Sequence, residues 1–239
     1  MEDAVSRETP PAPSVAAGVF ASALPKAERF AGFLATAGTQ RGLIGPREVP
    51  RLWDRHLLNC AVLTDLVPKG ASVCDIGSGA GLPGLVMAIR RPELQVTLVE
   101  PLLRRTTFLE EAVELLELSH VEVVRARAES LHGGRRFDVV TSRAVAPLER
   151  LLGWSMPLVR PGGLLLAMKG SSAAEELAGA AGALQTWGGV GPEVIHIGSD
   201  QLSVPTTVVR VEAAGTPPLG LAKQRMPGSG RSRRQRKRR

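Results

Sequence analysis

Two hydrophobic rhythms alternate along this chain. From Phe20 to Thr36 the apolar positions Phe20, Leu24, Ala27, Phe30, Phe33 and Leu34 recur at helical spacing. Residues 38–50 read as a glycine- and proline-containing loop. A second stripe of Leu52, Trp53, His56, Leu57, Cys60, Leu63 and Leu66 predicts a helix over residues 51–67. Beyond it, short apolar runs of strand length alternate with helical stretches. Strands are predicted at 72–76, 95–99, 121–125, 137–141 and 164–168, the last after a turn at Pro161-Gly162-Gly163. Helices are predicted at 84–91, 102–118, 147–158 and 173–187. Two more strands, 193–197 and 206–211, follow with no helix between them. Alternating units that close on a hairpin imply an α/β, Rossmann-like, mostly parallel seven-stranded sheet with a C-terminal antiparallel strand, plus N-terminal helices packed on it. The expected organisation is a disordered stretch 1–16, helices within 17–67, the sheet domain over 68–212 and a flexible basic tail over 213–239.

The densest signal follows the first strand. Asp75-Ile-Gly-Ser-Gly-Ala-Gly-Leu-Pro-Gly84 places four glycines, Gly77, Gly79, Gly81 and Gly84, between a strand and a helix. Glycine admits positive φ and close approach of a ligand to the backbone. The second strand ends in Glu100, where a carboxylate can accept both hydroxyls of a ribose. Asp75 adds an acid at the first strand's end. Together they disfavour a pyrophosphate and favour a phosphate-free cationic nucleoside, S-adenosylmethionine. The competing reading is a nicotinamide oxidoreductase, because Gly79-Ala-Gly81-Leu-Pro-Gly84 also matches G-x-G-x-x-G. In a doubly wound sheet the glycine loop, Glu100, Ala128-Glu129, Arg143 and Lys169 all gather at the carboxyl ends of the strands.

Composition narrows the partners. Aromatics are 3% with no Tyr, so stacking platforms for bare bases are scarce. The chain carries +7 formal charge, and residues 231–239 alone hold seven basic side chains and no acid; the remainder therefore balances. Such a block either solubilises or contacts nucleic acid. Cys60 and Cys74 read as small core residues, and the four histidines lack metal-ligand spacing, so no metal is expected. No apolar run is long enough to span a membrane, and the cytoplasm is the expected location.

Asp75–Gly84, Arg105 with Phe108-Leu109, Arg127-Ala128-Glu129, Ser142-Arg143-Ala144, Lys169-Gly170 and Arg55-His56-Leu57 together resemble the bacterial 16S rRNA guanine-N7 methyltransferases, once called glucose-inhibited division protein B. The resemblance spans about residues 20–211. It implies a class I S-adenosylmethionine-dependent methyltransferase fold and methylation of N7 of one guanine, 527 in rRNA numbering. It implies cofactor contacts from Gly77, Leu82, Ala128, Glu129 and Arg143, beside Asp75, Gly79 and Glu100 read from the residues. The methyl acceptor would be 16S rRNA or a 30S particle, and a monomer is expected. Guanine N7 is an unprotonated acceptor, so no general base is needed; Arg143 and Lys169 are the candidates for a part in the chemistry. His56, Lys169 and Arg225 are the candidates for holding RNA, against structural pairing of Lys169 and Arg143 with Asp54 or Glu129, and a core role for His56. Asn59-Cys60 stands where the family shows Asp-Ser. A non-catalytic rRNA-binding assembly factor is the remaining alternative.

Overall fold

The computed structural model describes residues 9–215. Seven strands, β1 (Ser72–Ile76), β2 (Gln95–Val99), β3 (Val121–Val124), β4 (Phe137–Arg143), β5 (Val159–Lys169), β6 (Gly189–Ile197) and β7 (Thr206–Ala213), form one sheet in the order β3-β2-β1-β4-β5-β7-β6. β1 to β5 pair in parallel, and β7 runs antiparallel to both β5 and β6. The chain winds outward from β1 to β3, then returns to lay β4 on β1's other side. That reversal opens a crevice at the carboxyl ends of β1 and β4.

The helices are α1 (Ser14–Phe20), α2 (Leu24–Phe33), α3 (Leu58–Val62), α4 (Gly84–Arg90), α5 (Leu103–Leu115), α6 (Leu148–Ser155), α7 (Ala173–Gly179) and α8 (Ala181–Trp187). They cover both faces of the sheet. Along β1, Val73 enters the core shared with α1 to α5, whereas Cys74 and Ile76 enter the core shared with α6 to α8. This is the two-residue period of a strand buried on both sides. Cys60 and Cys74 are free and buried, and burial pushes the Cys60 thiol up to about 11.

One guanidinium ties three N-terminal segments to the sheet domain. Arg90 Nε donates to the Val19 carbonyl at 3.0 Å, and its Nη1 to the Ala61 carbonyl and Thr64 Oγ1 at 2.6 and 2.7 Å. Phe33 stacks on Phe108 with ring centroids 4.7 Å apart.

Four expectations need revision. The stretch 1–16 was expected to lack structure, yet α1 begins at Ser14, and Trp53 Nε1 donates to the Pro10 carbonyl at 3.0 Å. The anchor lies 43 residues away, where no local pattern reveals it. The helix expected over 51–67 is three pieces: wide five-residue turns over Leu52–Leu57, α3, and a tight turn over Leu63–Leu66. Just upstream, Pro46–Arg51 forms a tight helix that contains Pro50, which lacks an N–H to donate to a regular α-helical ladder. The turn at Pro161-Gly162-Gly163 lies inside β5, as an irregularity in its register with β4. A Cβ at Gly163 would sit 2.7 Å from the Asp138 carbonyl, so these glycines permit a bulge rather than a reversal. The helix expected over 173–187 breaks at Ala180 into α7 and α8. Of the tail expected over 213–239, Ala213 ends β7, and residues 216–239 with Arg225 lie outside the described residues.

Candidate functional site

Parallel register builds the site. Ile76 pairs with Val99, and Val99 with Val124, so the three chain segments leave the sheet side by side. The Gly77 and Ser78 amides both donate to the Val99 carbonyl, at 2.8 and 3.2 Å, and the Glu100 amide donates to the Val124 carbonyl at 3.1 Å. Around these tips lies a cavity of about 610 Å³, within the range typical of small-molecule sites. Its lining includes Gly77, Gly79, Leu82, Glu100, Ala128, Glu129, Arg143 and His56. Eight of the sequence-based candidates therefore meet at one place.

Gly77 has φ 68°, and a Cβ there would sit 2.8 Å from Val145 Cγ2. The turn can thus lie flat under the loop that follows β4 only because this residue is glycine. Glu100 is 1% exposed. One carboxylate oxygen accepts the Gly79 amide and the other the Leu102 amide, each at 3.1 Å, while Arg105 Nη1 lies 3.5 Å away. Each oxygen keeps a lone pair, and the group sits on the cavity wall where a ribose diol would meet it.

The direction of the turn's own donors decides between cofactors. A phosphate-binding loop aims its amides at the ligand. Here the amides of Gly77 and Ser78 go to Val99, that of Gly79 to Glu100, those of Gly81 and Leu82 to the Ser78 carbonyl, and that of Gly84 to Asp75. Four amides of cavity-lining residues, that of Gly81 and the first helical one are already spent, and within the turn only the Ala80 amide is without an acceptor among the described residues. A pyrophosphate would find few donors and a carboxylate beside them; a phosphate-free nucleoside needs only the carboxylate. The residues present fit S-adenosylmethionine and not a dinucleotide.

Asp75 does not do what was expected of it. It is fully buried and absent from the cavity lining. Its Oδ2 accepts the Gly84 amide at 3.0 Å, tying α4 to β1, and a Cβ at Gly84 would lie 2.3 Å from Leu98 and 2.9 Å from Asp75 Cβ. Burial pushes its carboxyl up to about 7, opposed by the Gly84 hydrogen bond. It is a strut beneath the turn rather than a charge facing a ligand. Lys169 also lies outside the lining. Its ammonium, on a side chain only 8% exposed, donates to the Ala146 carbonyl and to Glu176 Oε2, both at 2.7 Å. Neither Asp54 nor Glu129 is its partner.

The opposite wall comes from the N-terminal segment. Arg143 Nη2 donates to the Arg55 carbonyl at 2.9 Å, so the tip of β4 holds the wide-turned segment Leu52–Leu57. His56 Nε2 lies 2.9 Å from Glu48 Oε2. Burial, helped by neighbouring Arg143, lowers the imidazole's pKa, and the hydrogen bond to His56 lowers that of Glu48. The pair is therefore a neutral ring donating Nε2–H to a carboxylate. Two buried nitrogens of lining residues, His56 Nδ1 and Arg105 Nε, have no partner among the described residues.

Sequence reasoning missed Leu43, Ile44, Val145 and Trp154, all in the lining. The first two carried a faint signal, being an adjacent apolar pair in a loop otherwise rich in glycine, proline and charge. Among the described residues no cluster of three or more His, Cys, Asp or Glu side chains is arranged to hold a metal, and no helix is long and apolar enough to cross a membrane.

Comparison with known proteins bears on this geometry. The family described as GidB, rRNA small subunit methyltransferase G, matches residues 23–203. A ribosomal RNA small subunit methyltransferase G of Nocardioides sp. is 66% identical over 212 residues, covering 88% of this chain and 85% of that protein. One of Thermobifida fusca is 55% identical over 225 residues, covering 92% and 94%. Among solved structures, a precorrin-6y C5,15-methyltransferase from Geobacter metallireducens aligns with a TM-score of 0.50 at 16% identity, over 72% of this chain and 90% of that one. The [4+2]-cyclase SpnF aligns at 0.52 and 14% identity, over 66% and 81%. These two share the sheet and its winding with this chain; that one is titled a cyclase illustrates that the fold does not choose the reaction.

Proposed function

This chain belongs to the rRNA small subunit methyltransferase G family, and from that premise we propose that it methylates N7 of guanine 527 (rRNA numbering) in 16S rRNA, using S-adenosylmethionine. The observation that carries the cofactor half is the inward-turned set of amides in the glycine turn, with the remaining lone pairs of Glu100 beside it. When bound, S-adenosylmethionine supplies a methyl group on a positively charged sulfur.

We read the residues' tasks as follows. Glu100 accepts the ribose hydroxyls. Gly77, Gly79 and Leu82 form the floor, and Ala128 with Glu129 flanks the adenine. Arg143 holds the two walls together through Arg55 rather than reaching outward. Guanine N7 carries an exposed lone pair and no proton, so the chain need provide no base. What remains is alignment of acceptor and methyl group, which can supply most of the rate.

For the RNA we read Arg47 and Arg51 as phosphate contacts. Both are exposed on Pro46–Arg51, which adjoins cavity-lining Ile44 and carries His56's partner Glu48. Neither has a hydrogen-bond or ion-pair partner among the described residues. This places RNA on the N-terminal wall and adds no role for Lys169. A 30S particle as acceptor and a monomeric enzyme complete the reading.

The test has three measurements. Calorimetric titration should give binding of S-adenosylmethionine and none of NADH. Labelled methyl should pass to the 16S rRNA of 30S particles from a strain lacking the enzyme, and reverse-transcription mapping should place it at N7 of the stated guanine. Cofactor binding without label transfer would leave an assembly factor; label at another base would move the site.

A further inference from the structure

The loop after β4, residues 144–147, forms part of the cavity wall, and it is held from outside the cavity. Ala144 and Val145 line the cavity, and Ala144 sits in the left-handed region at φ 53°. A side chain other than glycine is strained there, so something must hold it. Val145 packs over Gly77, close enough that a Cβ on that glycine would clash. Behind the loop stands Lys169, the last residue of β5, whose Nζ donates to the Ala146 carbonyl at 2.7 Å. The same ammonium donates to Glu176 Oε2 at 2.7 Å, and that oxygen accepts the Leu148 amide at 2.8 Å. The other Glu176 oxygen accepts Ser172 Oγ at 3.1 Å. One ion pair thus grips the loop on both sides of Pro147, by a carbonyl before it and an amide after it. The hydrogen bond from Lys169 is the first reason the Glu176 carboxyl lies below its ordinary range.

We propose that Lys169 and Glu176 are positioning residues that clamp loop 144–147 against the glycine turn and so set the gap in which the methyl acceptor meets the cofactor. The pair touches neither. Its effect on turnover rests on the methyltransferase reading; the clamp itself does not.

The experiment uses the full chain carrying Lys169→Met, with two readouts. Amide hydrogen exchange should quicken at least about tenfold at Leu148, whose amide Glu176 accepts, where the local opening free energy falls. Steady-state methylation of 16S rRNA should lose about 10- to 100-fold in kcat, as expected when reacting groups are misplaced by a fraction of an ångström to an ångström. The KM for RNA should stay within about twofold and S-adenosylmethionine affinity within about threefold, because contacts that bind are untouched. Glu176→Gln should act in the same direction but less, and the double variant should be no worse than Lys169→Met, since both break one device. Should Lys169→Met fail to give a cooperative thermal transition, Glu176→Gln carries both readouts. Unchanged exchange at Leu148 overturns the clamp. So does a raised RNA KM with intact kcat and a salt slope shallower by about 0.7, which would mean the ammonium contacts phosphate. A wild-type chain that transfers no methyl defeats the functional reading instead, and the exchange arm still decides the clamp.

Discussion

The cavity's two walls are made by different physics. The wall formed by the tips of β1, β2 and β3 is written in backbone: strand register places the glycine turn beside Glu100, and a buried carboxylate fixes each end of the turn through amides. The wall formed by the β4 loop and the N-terminal segment is written in long side chains reaching across the fold. Arg143 spans 88 residues to Arg55, and Lys169 reaches back 23 to Ala146. The first wall is rigid by construction and suits a ligand that does not vary. The second can be retuned by single substitutions, as suits recognition of one base in one RNA.

The sharpest way to break that contrast is Glu100→Ala. The substitution removes the acceptor for two loop amides, at Gly79 and Leu102, and the acceptor for a ribose. Each hydrogen bond to a charged group contributes about 1.5–3 kcal/mol, so S-adenosylmethionine affinity should fall about 100-fold or more by calorimetry. An affinity within about threefold of wild type would show that the first wall does not depend on its carboxylate.

Legibility follows the same division. The glycines, Glu100 and Ala128-Glu129 were readable because strand-loop-helix periodicity is local and a parallel sheet turns local order into spatial convergence. Asp75 was read as a ligand-facing charge because a strand's last residues can point to the tip or beneath it. Which of the two holds depends on Gly84 approaching from the far side, and a sequence does not show that. Lys169 was left between RNA contact and pairing with Asp54 or Glu129 for a similar reason: topology brings β5's end to the site, but its partner Glu176 lies one turn into α7, past a boundary set by packing. The segment 38–57 was the least legible, since its wide and tight turns around Pro50 obey no single period.

Asp75 offers the next test, in stability rather than binding. Its carboxyl is about 7 in the folded protein against a model-compound value of 3.8. The folded state therefore holds a proton that the unfolded state has released between those values, and stability contributed by the protonated form is lost as pH rises from about 4 through 7. Asp75→Asn keeps an acceptor oxygen for the Gly84 amide and cannot ionise. Its Tm relative to wild type should accordingly be higher at pH 8 than at pH 5, by several degrees at about 2–4 °C per kcal/mol for a chain of this size. A Tm difference that does not change with pH would mean Asp75 titrates normally and the strut is not dry.

The smallest effect probes the second wall's outer face. Arg47 and Arg51 lie four residues apart on the tight helix Pro46–Arg51, both exposed. Glu48 lies between them in sequence, but it is engaged by His56 at 2.9 Å and approached by Arg55 at 3.6 Å. Two guanidiniums without acid partners, next to a cavity that must admit a nucleotide, suit phosphates on either side of the base. If each displaces counterions from one phosphate, each Arg→Ala substitution should flatten the plot of log affinity against log salt by about 0.7 for single-stranded RNA, and the pair by about twice that. S-adenosylmethionine affinity should not move, because neither residue belongs to the first wall. A fall in cofactor affinity with an unchanged salt slope would erase the division between the walls, since it would mean the N-terminal segment serves the cofactor and the RNA docks elsewhere.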